Sequence, residues 1–206
     1  ADPAKPIEAG LSSSARKYIW DIEQKAFQIS HKAAPLITAA LARSDRAELM
    51  KFFASDFRGL IVAPDSAEVV TRDIAEFKYW AGNVPSDREQ FVDWLLEQVR
   101  LFHTEPQVQL PLLYLKPLDS DRLDGAWQGT WIMRIFGEMS EGKPGEVVVR
   151  GKFGATRLPN NFQEDRGWIS SWDVENFQVA RATRVLMEEV AEKTGIDIAQ
   201  LHDNWN

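Results

Sequence analysis

The sequence contains no cysteine. The protein therefore forms no disulfide, uses no thiolate as a nucleophile and binds no metal through sulfur. This absence does not decide the compartment, because a chain of 206 residues can bury a core that folds without covalent cross-links.

Long apolar runs and basic clusters are also missing. No apolar run approaches the roughly 20 residues that cross a bilayer, so we expect no membrane span. The 24 Lys and Arg residues are outnumbered by 31 Asp and Glu residues, which gives a net charge of -7. Because contacts to phosphate need a dense basic surface, we expect no nucleic-acid partner.

The first ten residues, ADPAKPIEAG, begin without methionine and are small, polar and rich in proline. Such a start is typical of a chain that follows a cleaved signal peptide, or of an excised piece of a longer chain. We therefore expect an exported or periplasmic protein, with a cytoplasmic one as the alternative.

Aromatic residues, by contrast, are abundant. The chain has 8 Trp and 11 Phe in a composition that is 44% hydrophobic and 27% charged, as is ordinary for a soluble globular protein. So many rings predict either a large aromatic core or an aromatic-lined cavity. The length fits one domain, which we place at residues 15–182. A flexible segment (1–14) precedes it, and a C-terminal helix and tail (183–206), suited to link to a further domain, follow it.

The second half of the chain predicts an antiparallel sheet. Three long β-type runs cover residues 127–136, 147–158 and 168–179, and short connections rich in Gly, Pro and Asn join them. Connections this short favour antiparallel pairing, because the crossover of a parallel sheet needs a dozen or more residues.

The first half predicts mainly helices. Apolar residues at three- and four-residue spacing indicate an amphipathic helix over 15–41, capped from 12–14. Pro35 must kink or divide this helix, because proline removes an amide and clashes with the preceding turn. The other expected elements are a helix over 46–53, a strand over 57–63, a strand then a helix over 68–80, a helix that starts at a capping box of Ser86 and Glu89, a strand over 108–118 interrupted at Pro111, and a helix over 183–193.

Helices followed by strands predict an α+β domain, with N-terminal helices packed on a curved antiparallel sheet. This layout and three segments, 48–57, 127–131 and 167–172, resemble the nuclear transport factor 2-like superfamily. That superfamily has the cone-shaped, cystatin-like fold shared with ketosteroid isomerases and polyketide cyclases. The resemblance covers residues 15–180 approximately.

A weaker similarity lies at the C-terminus. Residues 186–196, LMEEVAEKTGI, look like the lead-in to the FG-GAP repeat propellers of exported bacterial proteins. That likeness implies an N-terminal piece of a longer protein, although no repeat follows Asn206.

The first resemblance implies where a site lies. In that superfamily the pocket lies between the long helix and the concave sheet face, and its enzymes use a Tyr, an Asp and sometimes a His against an apolar wall. The matching groups are Tyr18, Asp56, His103 and Tyr114. The wall that contacts a small apolar ligand would consist of Trp127, Trp131, Trp168 and Trp172.

Each of these residues also has an ordinary structural role. Asp56 is the favoured general base if a desolvated mouth holds it, whereas Arg58 beside it favours the ionised carboxylate. An Asp at a helix-to-strand junction is also commonly a cap, and Trp residues that alternate along strands are commonly core.

Other segments resemble metal-binding or phosphate-binding motifs but lack residues that those motifs require. Residues 119–125 resemble a calcium loop, but its twelfth position is Thr130 where an EF-hand has Glu. Residues 137–143 resemble a phosphate-binding loop, but Pro144 and a strand follow it. The three His residues, His31, His103 and His202, lack a second ligand at metal-site spacing. We therefore expect no metal and no cofactor.

Two functions stay open. The first is a non-catalytic ligand-binding or protein-interaction domain, and the alternative is a small-molecule isomerase, lyase or cyclase acting in the cone. A deep cavity with two ionisable groups within reach of a common point would favour the enzyme. We also expect a homodimer, because the outer sheet face should be mixed in polarity. The residues expected on that face are Ile132, Arg134, Phe136, Arg150, Ile169, Asp173, Glu175 and Phe177.

Overall fold

The computed structural model describes residues 12–63, 67–72, 75–80, 82–139 and 142–183. The helix predicted over 183–193, the tail beyond it and the FG-GAP-like lead-in lie outside the described residues, as does most of the N-terminal segment 1–14. Within the described part of the chain, no helix has the length and apolar character to cross a membrane.

The first predicted helix forms and is divided, as Pro35 requires. α1 covers Ser13–Gln28, and its N-cap Ser12 accepts a hydrogen bond from the Ala15 amide at 3.2 Å. A π-helical turn, Ile29–Ala33, separates it from α2, Ala34–Ala42, which carries Pro35 in its first turn. The widened turn accommodates the proline ring and its missing amide.

The next helix is shorter than predicted. α3 covers Arg46–Met50, with Asp45 as its N-cap, and β1 follows as Phe53–Val62. The carbonyls of Lys51 and Phe52 accept hydrogen bonds from the residues that lead into the last strand. These bonds draw the chain into an extended conformation four residues before the predicted strand start.

Residues 68–80 correct a prediction. They form a hairpin of two strands, β2 (Glu68–Thr71) and β3 (Ala75–Trp80), so the predicted helix over the second half is wrong. β3 pairs with the last strand along its whole length. This tertiary pairing overrides the three-residue apolar spacing that favoured a helix.

α4 (Arg88–Val99) begins with a capping box one residue later than predicted. Asp87 accepts from the Gln90 amide at 2.9 Å, and the Gln90 side chain accepts from the Asp87 amide at 3.0 Å. Ser86 ends strand β4 (Gly82–Ser86) and is buried.

The predicted antiparallel meander is confirmed. β7 (Trp127–Glu138), β8 (Pro144–Ala155) and β9 (Ile169–Ala182) pair in sequential antiparallel order. Two short strands, β5 (Gln107–Gln109) and β6 (Leu112–Pro117), pair with β7 on its other edge. The other edge of β9 pairs with two strands. β1 runs parallel to the first part of β9, and β3 runs antiparallel to the last part of β9.

The fold is therefore α+β, with helices on a curved sheet that is antiparallel except where β1 meets β9. α2 supplies core residues such as Ile37 and Leu41, whereas α1 has no buried residue and lies beside β6. Only the second half of the predicted long helix therefore packs in the core.

β9 departs from the predicted alternation at two bulges. Its register against β8 shifts between Arg150 and Gly151 and between Gly154 and Ala155. Each extra residue reverses the side on which the next side chains lie. Ile169 and Phe177 are consequently buried in the core and not on the outer face. These two apolar residues are therefore absent from the sheet face that was expected to form the dimer interface. The homodimer stays a prediction.

Candidate functional site

The four tryptophans predicted to line a pocket form a packed core. Trp127, Trp131, Trp168 and Trp172 are between 0% and 3% exposed. Trp131 stacks on Phe153 with ring centroids 4.0 Å apart, and its ring contacts those of Trp168 and Trp172 at 6.0 Å and 5.1 Å. The interior of the cone is filled by rings at this level.

Glycines explain how closely these rings approach the sheet. A Cβ atom at Gly129 would overlap the Phe153 ring, and one at Gly151 would lie 2.6 Å from the indole nitrogen of Trp172. The rings therefore occupy space that a side chain at either position would need. No described cavity is lined by any of the four tryptophans. In this structure the four tryptophans pack as core residues, and their role as ligand contacts stays a prediction.

The four polar candidates are not brought together. Asp56 is exposed on β1, His103 is exposed after α4, Tyr114 is exposed on β6, and Tyr18 is half-buried on α1. No described hydrogen bond or ion pair joins any two of them. Asp56 in particular lies in water, so the structure does not provide the desolvated mouth on which its role as a base depended.

A cavity lies elsewhere, between α4 and the strand pair β3–β9. Its volume is about 290 Å³. Trp80, Trp94 and Phe177 supply aromatic walls, with the Phe177 ring centroid 5.0 Å from that of Trp80 and 5.4 Å from that of Trp94. The other lining residues are Val62, Lys78, Glu97, Gln98, Leu101 and Val179.

This cavity continues in both directions along α4. A second cavity of about 210 Å³ shares Lys78, Leu101 and Val179 with it. It adds Glu76, Met139 and Arg181. A broad depression on the opposite side shares Val62, Trp94 and Glu97, and reaches Asp93. We call the three together the α4 groove.

Pairing between β3 and β9 orders the floor of the α4 groove. Trp80 lies opposite Phe177, Lys78 opposite Val179, and Glu76 opposite Arg181. Side chains two residues apart on a strand share a face, so these three pairs follow one another on the same side of the sheet. The floor therefore changes from aromatic to charged along its length.

Polar groups at the α4 groove are mostly already paired. The Lys78 ammonium lies 3.2 Å from a Glu76 carboxylate oxygen, and the Gln98 amide donates to the Trp94 carbonyl at 2.8 Å. The Arg46 guanidinium donates to Asp93 at 2.6 Å and lowers the pKa of that carboxyl. Among the described residues, no group of three His, Cys, Asp or Glu side chains could hold a metal ion.

Sequence reasoning missed this site for identifiable reasons. Trp80 was expected on a helix, and Phe177 was expected on the outer sheet face. One signal could have found the site. Glu76, Lys78 and Trp80 follow one another at two-residue spacing, which is the period of a strand.

No protein-family model and no curated protein matches the sequence. Solved structures do match. A hexachlorocyclohexane dehydrochlorinase (LinA, type 2) shares 13% identity over 85% of this chain and 93% of its own, with a TM-score of 0.44. A protein of unknown function with a cystatin-like fold from Methylobium petroleophilum shares 10% identity over 87% and 95%, with a TM-score of 0.35. A Delta 5-3-ketosteroid isomerase from Mycobacterium sp. shares 14% identity over 75% and 91%, with a TM-score of 0.30.

The likeness is one of fold. The cone-like α+β layout expected from the resemblance to the nuclear transport factor 2-like superfamily is confirmed by the element order and the curved sheet. A shared fold does not determine function, so the function of this chain must be argued from its own site.

Proposed function

We propose that this protein is a ligand-binding domain that holds a small apolar molecule in the α4 groove. The observation that carries the proposal is the cavity of about 290 Å³ walled by Trp80, Trp94 and Phe177. Its size lies at the lower end of the range of about 300–1,000 Å³ that is usual for ligand pockets.

Apolar contact is the main source of affinity at such a wall. Burial contributes about 25 cal/mol per Å² of apolar surface, and a ring placed edge-on or offset against another ring adds about 0.5–1.5 kcal/mol. A bicyclic aromatic alcohol of about 12 heavy atoms, at about 0.5 kcal/mol per atom, would bind with a Kd on the order of 10–100 μM.

The alternative, an isomerase, lyase or cyclase acting in the cone, has less support. It requires ionisable groups that converge on a cavity inside the cone. The described interior holds packed rings at that level, and Asp56, His103, Tyr18 and Tyr114 lie apart. Binding without chemistry therefore fits the described residues better.

Calorimetric titration with 2-naphthalenemethanol tests the proposal. Leu101 lines both cavities and is 44% exposed, so Leu101→Ser removes apolar contact without opening the core. We expect a loss of about 1 kcal/mol, or about five-fold in Kd. Leu113→Ser is the matched control, since Leu113 is 52% exposed on β6, outside the α4 groove. Absence of binding, or an equal effect of both variants, would overturn the proposal.

A further inference from the structure

A buried amide side chain, that of Gln98 on α4, lines the α4 groove. Gln98 borders the cavity of about 290 Å³ and is 8% exposed. The charged residues that line the same cavity reach water, since the Lys78 side chain is 42% exposed and Glu97 is exposed. A hydrogen bond from a ligand to Gln98 would therefore be better shielded from water than one to either charged residue.

A contact with the helix backbone fixes the orientation of the Gln98 amide. Its Nε2 atom donates to the Trp94 carbonyl, one turn earlier in α4, at 2.8 Å. A carbonyl oxygen can only accept, so the amide atom that meets it must be the nitrogen. The other end of the amide is therefore the acceptor, Oε1.

The Oε1 atom of Gln98 accepts no hydrogen bond from the part of the chain that the structure describes. The indole nitrogen of Trp80 also lacks a described partner, but the fold closes that atom off from solvent, whereas Oε1 stays accessible. Because Gln98 lines the aromatic cavity and is otherwise buried, a molecule in the cavity can reach this oxygen.

A ligand in the cavity changes the surroundings of this acceptor. A purely apolar molecule would exclude water from Oε1 and leave a buried acceptor without a partner, which is unfavourable. A molecule that carries an O–H or N–H avoids this cost, because it can donate to Oε1. The indole nitrogens of Trp80 and Trp94 are donors only, so neither can replace Gln98 as the acceptor.

We infer that the ligand of the α4 groove carries a hydrogen-bond donor, an O–H or N–H, on an apolar, ring-sized body, and that Gln98 Oε1 accepts from it. The body lies between Trp80, Trp94 and Phe177. This inference rests on the proposed function, because it concerns the same cavity. It adds the polar group of the ligand and the residue that recognises this group.

Two ligands with one ring system test the inference. 2-Naphthalenemethanol has an O–H, whereas 2-(methoxymethyl)naphthalene keeps the oxygen but cannot donate. Gln98→Met removes the acceptor and keeps an unbranched side chain of similar length. We expect this variant to weaken binding of the alcohol about five-fold and to change binding of the ether by less than about two-fold. Calorimetric titration measures the four dissociation constants.

Gln107→Met is the matched control, since Gln107 is exposed on β5 and lines none of the three cavities of the α4 groove. It should leave both affinities unchanged, and circular dichroism should show that both variants are folded.

Carbon NMR of the wild-type protein gives a readout that needs no variant. The side-chain carbonyl resonance of Gln98 should move downfield when the alcohol binds, and less when the ether binds, because an accepted hydrogen bond polarises the carbonyl. This measurement decides the question if Gln98→Met does not fold.

The outcomes separate the two proposals. If the alcohol binds and Leu101→Ser weakens it, but Gln98→Met affects the alcohol and the ether equally, the inference is overturned and the binding function stands. A Gln98 carbonyl resonance that responds alike to both ligands has the same meaning. If neither ligand binds, the proposed function fails and the inference fails with it.

Discussion

Two aromatic clusters lie along β9, five residues apart, and only one of them is filled. Around Trp172, rings from several strands and from α4 pack together, including Trp131 and Phe91. Around Phe177, the rings of Trp80 and Trp94 stand about a cavity. The same residue types thus produce a packed core at one place and the wall of a cavity at the other.

Glycine distribution accounts for much of the difference. In the filled cluster, Gly129 and Gly151 let neighbouring rings lie directly on strand backbone. Among the described residues, no glycine lines the cavity beside Phe177, where the floor carries the side chains of Lys78 and Val179. Aromatic abundance therefore identifies a site only together with what lies beneath the rings.

The largest expected effect compares the two clusters directly. Trp131→Ala should lower the free energy of unfolding by about 3–5 kcal/mol, because it leaves a large void in a packed core. Phe177→Ala should cost less, about 1–3 kcal/mol, because one side of this ring already faces a cavity and makes fewer contacts. Urea titrations of both variants measure the two values.

Trp20→Ala is the control for this pair, since Trp20 is 60% exposed on α1. It should change the free energy of unfolding by less than about 0.5 kcal/mol. Equal losses at Trp131 and Phe177 would show that the second cluster is also closed, and the distinction between core and wall would not hold.

A smaller effect is expected at the start of α4, which covers both clusters. Asp87→Ala removes the N-cap and should cost about 1 kcal/mol of unfolding free energy. Ser86→Ala is the matched control, because the buried Ser86 hydroxyl has no hydrogen-bond partner within the described part of the chain. It should be neutral or slightly stabilising. The opposite ranking would restore Ser86 as the cap that the sequence predicted.

The smallest effect concerns pH at the edge of the α4 groove. Hydrogen bonding from Arg46 lowers the pKa of Asp93 in the folded protein. A lowered pKa contributes stability above the unfolded value of about 4, and this stability is lost as pH falls through the folded value. Asp93→Asn should therefore reduce stability at pH 7, by less than loss of the cap, and have no effect near pH 2.

Glu97→Gln is the control for the pH measurement, since Glu97 is an exposed acid one turn further along α4. Thermal unfolding of both variants between pH 2 and pH 7 makes the comparison. A destabilisation by Asp93→Asn that persists at low pH would assign the Arg46 contact to packing and not to charge.

Local patterns were sufficient for most of the architecture. The alternation along β7 and the short turns around β8 predicted the antiparallel meander, because strand period and loop length are properties of nearby residues. Pro35 divided the first helix for a reason that needs no tertiary contact. The capping box of α4 was predicted one residue too early, because both Ser86 and Asp87 are good N-cap residues.

The sequence by itself therefore determined the class of fold, the antiparallel meander and the aromatic character of its interior. Tertiary structure alone decided the site. The two bulges of β9 set the side on which Phe177 lies, and pairing with β9 made a strand of the segment that carries Lys78 and Trp80. Both outcomes depend on hydrogen bonds to partners distant in the chain, and a local sequence pattern does not record them.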